Sequence, residues 1–138
     1  MERVTGIGGF FFRARDPDAL NRWYAKHLGV VLPTGRYEDP GWFTDRGETV
    51  FTAFAPDSDA FGTPDKTWKI NFRVRNLDRM IDQLRAAGVE VRPHDREYPN
   101  GRFAELADPE GNRIQLWEPN AASMSRDPGR GRSSVAET

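Results

Sequence analysis

The segment GFFFRARDPD (residues 9–18) returns sixty residues later as KINFRVRNLD (69–78), aligning Arg13 with Arg73 and Asp16 with Asn76. The closing segments correspond as well, TAFAP (52–56) with QLWEP (115–119). A repeated supersecondary unit of this size cannot bury its apolar face alone, so the two copies are expected to pack together.

Each copy reads in the same order. In the first, Phe10, Phe12 and Ala14 alternate with Gly9, Phe11 and Arg13, the period of a strand. Asp16 then has the chemistry of an N-cap, with Pro17 at the first helical position. Leu20, Trp23, Tyr24 and Leu28 follow at helical spacing, and Gly29 closes the helix. Three strand candidates follow: VVLP, a run around GWFTD, and TVFTAFAP, the last two joined by the turn DRG. In the second copy Ile70, Phe72 and Val74 alternate with Lys69, Asn71 and Arg73. Asn76 caps a helix carried by Leu77, Met80, Ile81 and Leu84, and Gly88 ends it. VEVRP then reads as a strand, and RFAELADPEGNRIQLWEP as a hairpin turning at DPEGN. Both halves are therefore expected to be β-α-β-β-β, with module 1 at about 5–56, a linker at 57–66 and module 2 at about 67–119. The Ser-, Arg- and Gly-rich end, 120–138, is expected to be a disordered tail.

The bulk properties remove several function classes. The formal net charge is −1 although 30% of residues are charged, which gives no basic footprint for nucleic acid and no case for an anionic membrane surface. No apolar run approaches the roughly 20 residues that span a bilayer. Without cysteine there is no disulfide, thiol nucleophile or thiolate metal site. A cytoplasmic protein is expected.

The segments FFFRARDPDALNRWYAKHLGV, INFRVRNLDRMIDQLRAAGVEV and GRFAELADPEGNRIQLWEP resemble the vicinal oxygen chelate superfamily of glyoxalases, bleomycin-resistance proteins and extradiol dioxygenases. That resemblance implies an α+β fold in which two βαβββ modules form an eight-stranded, open, cup-shaped mixed sheet. It also implies four inward ligand positions in metal-using relatives, which fall here on Gly9, Thr52, Lys69 and Gln115. Glycine offers no donor, a protonated lysine repels a cation, threonine is a poor ligand, and one glutamine supplies a single oxygen. A catalytic site of this kind typically takes three protein ligands, so no metal and no cofactor is expected.

If Gly9 and Lys69 face the cup, alternation brings Phe11, Arg13, Asn71 and Arg73 in with them. Closing the hairpin across DPEGN sets Ala107 opposite Arg113, Glu105 opposite Gln115 and Phe103 opposite Trp117. The expected cavity is aromatic, with a polar cluster of Lys69, Asn71, Glu105 and Gln115, which suits a small molecule. Lys69 and Glu105 have two readings: a salt bridge standing where the metal charge would be, or an acid–base pair in a dry pocket. Phe103 and Trp117 are either filling or a stacking platform. Tyr98, before a glycine-containing turn, is a candidate gate or ligand contact. His27 reads as a helix-end residue, and His94 as a solvated loop residue.

The resulting expectation is a metal-independent binding protein for a small aromatic or apolar molecule, with Phe11, Arg13, Thr52, Asn71, Arg73, Tyr98, Phe103, Gln115 and Trp117 at the ligand. The resemblance to drug-sequestering relatives implies a homodimer. The alternative is a metal-independent glyoxalase-like lyase or isomerase working through Lys69 and Glu105. A metal-dependent lyase or dioxygenase is disfavoured by the ligand positions.

Overall fold

In the computed structural model, which describes residues 1–125, the second half of the chain builds an open, mixed, four-stranded sheet. Its strands are β1 (Lys69–Arg73), β2 (Arg92–Pro93), β3 (Gly101–Ala107) and β4 (Arg113–Pro119). The spatial order is β1-β4-β3-β2, with β1 parallel to β4 and the other pairs antiparallel. Helices α1 (Pro17–Leu28), α2 (Leu77–Ala86) and α3 (Ala121–Met124) complete the elements, giving an α+β fold.

The period of two divides the sheet into unlike faces. Ala104, Leu106, Ile114 and Leu116 point one way and are buried against Leu77, Ile81 and Leu84 of α2 and Leu20 and Tyr24 of α1. Each large aliphatic side chain buried in this way contributes about 1.5–3 kcal/mol. The residues between them, Phe103, Glu105, Arg113 and Gln115, are left on the opposite, open face.

Capping follows the sequence closely. Asp16 accepts from the Ala19 N–H and Asn76 from the Arg79 N–H, the spacing of an N-cap to N3. Gly29 ends α1 at φ +73°, where a side chain would be strained, and donates to the Ala25 carbonyl. Two carboxylates of the hairpin also reach the helix starts. Glu110 accepts the N–H groups of Arg15 and Asp16, and Glu118 accepts that of Leu77 at 2.7 Å. The acidic residues of DPEGN and LWEP thus seat both helices on the sheet. Gly101 is required for a different reason, since a Cβ there would run into the Glu118 carbonyl oxygen.

The turn is organised by Asp108, which is 4% exposed. It accepts from the N–H groups of Glu110 and Asn112, from the Asn112 amide and from the Tyr24 hydroxyl at 2.7 Å. Burial, followed by the bond to Asp108, raises the Tyr24 phenol far above its ordinary range and keeps it a donor.

Three expectations need correction. No residue before Lys69 lies in a strand, although 9–14, VVLP, GWFTD and TVFTAFAP carry strand patterns. Alternation marks the face a strand would bury, but a ladder also needs a partner edge, and these segments pair with none among the described residues. Phe11, Phe43 and Phe51 are accordingly 93, 87 and 90% exposed. Second, VEVRP shortens to Arg92–Pro93, with Val91 buried in the core just ahead of it. Third, the tail does not begin at 120: Asn120 caps the turn α3, and Ser123 is buried. The remainder of that expected tail, 126–138, lies outside the described residues.

Asp108→Ala strands the Tyr24 hydroxyl and three hairpin donors at once, so it should lower unfolding free energy by about 2–4 kcal/mol. Urea denaturation measures this, and a loss under about 1 kcal/mol would mean that Asp108 does not hold the hairpin to α1.

Candidate functional site

The strand registers arrange the open face in three cross-strand rows. Phe103 stands opposite Trp117, which stands beside Arg73. In the next row Arg92, Glu105, Gln115 and Asn71 follow one another across the four strands. The third row runs Ala107, Arg113, Lys69. The three cross-hairpin pairs expected from the sequence are all present.

Glu105 is the centre of this face. Its Oε1 lies 2.8 Å from Lys69 Nζ, with the two side chains only 13 and 18% exposed. Its Oε2 lies 2.8 Å from His94 Nε2 and also accepts the Gln115 amide N–H at 2.8 Å. The Gln115 amide oxygen in turn accepts from Asn71 at 2.7 Å. Burial by itself would push the Glu105 carboxyl up; the bonds from Lys69, His94 and Gln115 outweigh it and hold the group below its usual range.

An ionised carboxylate only accepts, so the proton of a neutral His94 ring sits on Nε2. Nδ1 is then bare and accepts from the Tyr98 hydroxyl at 3.1 Å. Tyr98 also meets Phe103 edge to face at 5.6 Å, and the Arg96 guanidinium lies 4.3 Å above its ring. Phe103 and Trp117 are parallel within 5°, their centroids 6.1 Å apart. Trp117 is 3% exposed and spends its Nε1–H on the Asn100 carbonyl, so Phe103 and Tyr98 are the rings that meet solvent.

The expected site residues therefore divide. Lys69, Asn71, Glu105 and Gln115 form one hydrogen-bonded network, and Tyr98, Phe103 and Trp117 adjoin it through His94. Arg73 shares the face but directs its guanidinium to the carbonyls of Asp45 and Glu48, at 2.8 and 2.6 Å. Phe11, Arg13 and Thr52 are exposed and outside the network, and the Thr52 hydroxyl bonds only to the neighbouring Ala53 carbonyl. His94, expected to be solvated, is instead half-buried against Glu105. Its position opposite Phe103 is fixed by the bond from its N–H to the Phe103 carbonyl. A strand continued one residue past VEVRP would have placed it there, but the polar run after it reads as loop.

Gln115, Lys69, Thr52 and Gly9 do not fit a metal ion. The Gln115 oxygen is occupied by Asn71, the Lys69 ammonium is paired to Glu105, Gly9 has no donor, and Thr52 lies apart. No cluster of three or more His, Cys, Asp or Glu capable of holding an ion occurs among the described residues. No helix among them is long and apolar enough to cross a membrane. A depression of about 320 Å³ between the start of α1 and the β3–β4 turn shares no residue with the network; its carboxylates, Asp16 and Glu110, both accept from main-chain N–H groups.

The sheet is open and mixed, with α1 and α2 packed on one face and a polar–aromatic surface on the other. The chain belongs to the glyoxalase-like domain family, which matches residues 9–117, and so to the vicinal oxygen chelate superfamily. Three solved structures share the fold. TnmS3, an antibiotic binding protein from Streptomyces sp. CB03234, is 18% identical, with a TM-score of 0.55 over 87% of this chain and 100% of that one. A glyoxylase/bleomycin resistance protein/dioxygenase domain from Frankia sp. EAN1pec is 20% identical, with a TM-score of 0.54 over 86% and 100% of the two chains. A lactoylglutathione lyase from Agrobacterium tumefaciens is 21% identical, with a TM-score of 0.52 over 85% and 96%. No curated protein matches the sequence. A binder and a lyase on one fold leave the choice of function to the site.

The depressed Glu105 pKa gives a signed prediction. The folded state binds this proton less readily than the unfolded one, so the contribution is complete above the unfolded value of about 4.3. It is lost as pH falls through the lower folded value. Urea midpoints of the wild type should therefore exceed those of Glu105→Gln at neutral pH and converge with them in acid. A gap independent of pH would dissociate Glu105 from the effect.

Proposed function

We propose that this chain binds a small, planar aromatic or apolar molecule against the open face of its sheet, without a metal ion. The observation carrying this reading is the closed network around Glu105. Lys69, His94, Gln115 and Glu105 are all engaged with one another beside the exposed edges of Phe103 and Tyr98. Such a network supplies a fixed polar rim for a ligand that stacks on the rings. It is poorly suited to proton transfer, since a carboxyl held below its usual range is a weak base near neutral pH. That weighs against the alternative of a metal-independent lyase or isomerase using Lys69 and Glu105. Asn71, Arg73, Gln115 and Trp117 frame the site from the strands, while Phe11, Arg13 and Thr52 lie outside it.

We further propose that the eight-stranded cup is completed in a homodimer. The exposed Phe11, Phe43 and Phe51 support this, because large apolar side chains left in water gain free energy when a second copy covers them. Light scattering after gel filtration should give twice the chain mass of 15.7 kDa. Phe11→Glu with Phe51→Glu should return it to one chain, and a wild type that is monomeric at every concentration would refute the dimer.

Ligand binding is tested by thermal shift against planar aromatic compounds. A hit at 100 times its Kd stabilises the protein by about 2.7 kcal/mol, a shift of several degrees for a domain of this size. The shift should persist in EDTA, and Phe103→Ala should weaken binding by about tenfold through lost stacking. A hit that requires a divalent ion, or one indifferent to Phe103, would overturn the reading.

A further inference from the structure

The open face carries a charge imbalance that the chain as a whole lacks. Arg92 stands directly opposite Glu105, and Arg113 directly beside Lys69, while Arg73 is four residues further along β1, on the same face. Residues opposite in register, or two apart on a strand, share a face. Four cations thus stand with one carboxylate, an excess of three positive charges on a chain whose formal net charge is −1. Glu105 is already committed to Lys69 and His94. Arg73 is bound by main-chain carbonyls, which leave its charge in place. The nearest acids of that segment turn elsewhere, Asp45 to Arg75 and Glu48 to the Ser123 hydroxyl. Arg92 and Arg113 form no ion pair among the described residues, and the Arg113 stem lies against Gly62.

We propose that the ligand of this face is an aromatic anion, a planar ring system bearing a carboxylate or an equally acidic group, with Arg92 and Arg113 as its specificity-determining residues. This rests on the reading of the face as a small-molecule site. The spacing fits. Phe103 lies one row from Arg92 and two from Arg113, and each row is two residues of strand, about 7 Å. A fused two-ring acid laid over Phe103 carries its charge to the Arg92 row. A guanidinium fork matches a carboxylate in two parallel hydrogen bonds, and an anion also relieves the repulsion among the four cations. A neutral ring gains the stacking and nothing else; a cationic one meets repulsion.

The test uses three isosteric probes on the full chain, with affinity measured by calorimetry in low salt: 2-naphthoate, 2-naphthamide and 2-naphthylmethylammonium. Naphthoate is expected to bind about 5–10-fold more tightly than the amide, and the ammonium to bind most weakly. The preference should shrink in 0.5 M salt, about a 4–5 Å screening length, and in Arg92→Gln/Arg113→Gln, whose exposed and part-buried side chains lie outside the core. Equal or tighter binding of the amide or the ammonium would overturn the anion proposal while leaving the aromatic site standing. A naphthoate preference untouched by the double variant would also overturn it. Silence from all three probes would remove the aromatic-binding reading as well.

Discussion

A half-buried carboxylate on a sheet face must find donors or lose its charge, and the open side of this protein is arranged around that requirement. Glu105 draws one donor from β1, one from β4 and one from the residue following β2. Every strand of the sheet is therefore tied to the same pair of oxygens. Desolvation works against the charge, and three donors restore it. The result is a side chain fixed in position as well as in protonation, and His94 passes that rigidity on to Tyr98.

The opposite side depends on the same kind of chemistry at the edges of an apolar core. Asp108, Glu110 and Glu118 all belong to the hairpin, and each reaches a helix or its start. The hairpin is consequently both the centre of the sheet and the element on which α1 and α2 are seated. The helices bury the apolar face, and the open face is left to be shaped by its polar and aromatic residues alone.

Much of this was legible in the sequence because it is encoded locally. The caps Asp16 and Asn76, the glycine after α1, and the hairpin register through Glu105–Gln115 and Phe103–Trp117 follow from spacing and turn chemistry. The Lys69–Glu105 contact is diagonal: register sets Asn71 in the Glu105 row, and the long Lys69 side chain reaches Glu105 across β4 from the neighbouring row. Three features were not legible. His94 depends on where β2 ends, which the polar run DREYPN conceals. The short turn α3 has a cap but almost no apolar signal. The first-half segments carry a strand period, yet alternation says only which side is apolar and is silent about whether an edge is present to pair with.

Arg73 has a consequence of another kind. Its guanidinium holds the 45–48 segment through two main-chain carbonyls rather than through carboxylates. Every amino acid brings the same carbonyl, so the tether does not depend on which side chains occupy the two acceptor positions, 45 and 48. Position 47 is the exception, because a Cβ on Gly47 would run into the Arg73 guanidinium; the other side chains can change without loosening it. Insertion or deletion of a single residue would move both acceptors out of the fork, so the junction constrains loop length and the one glycine under the guanidinium, and little else.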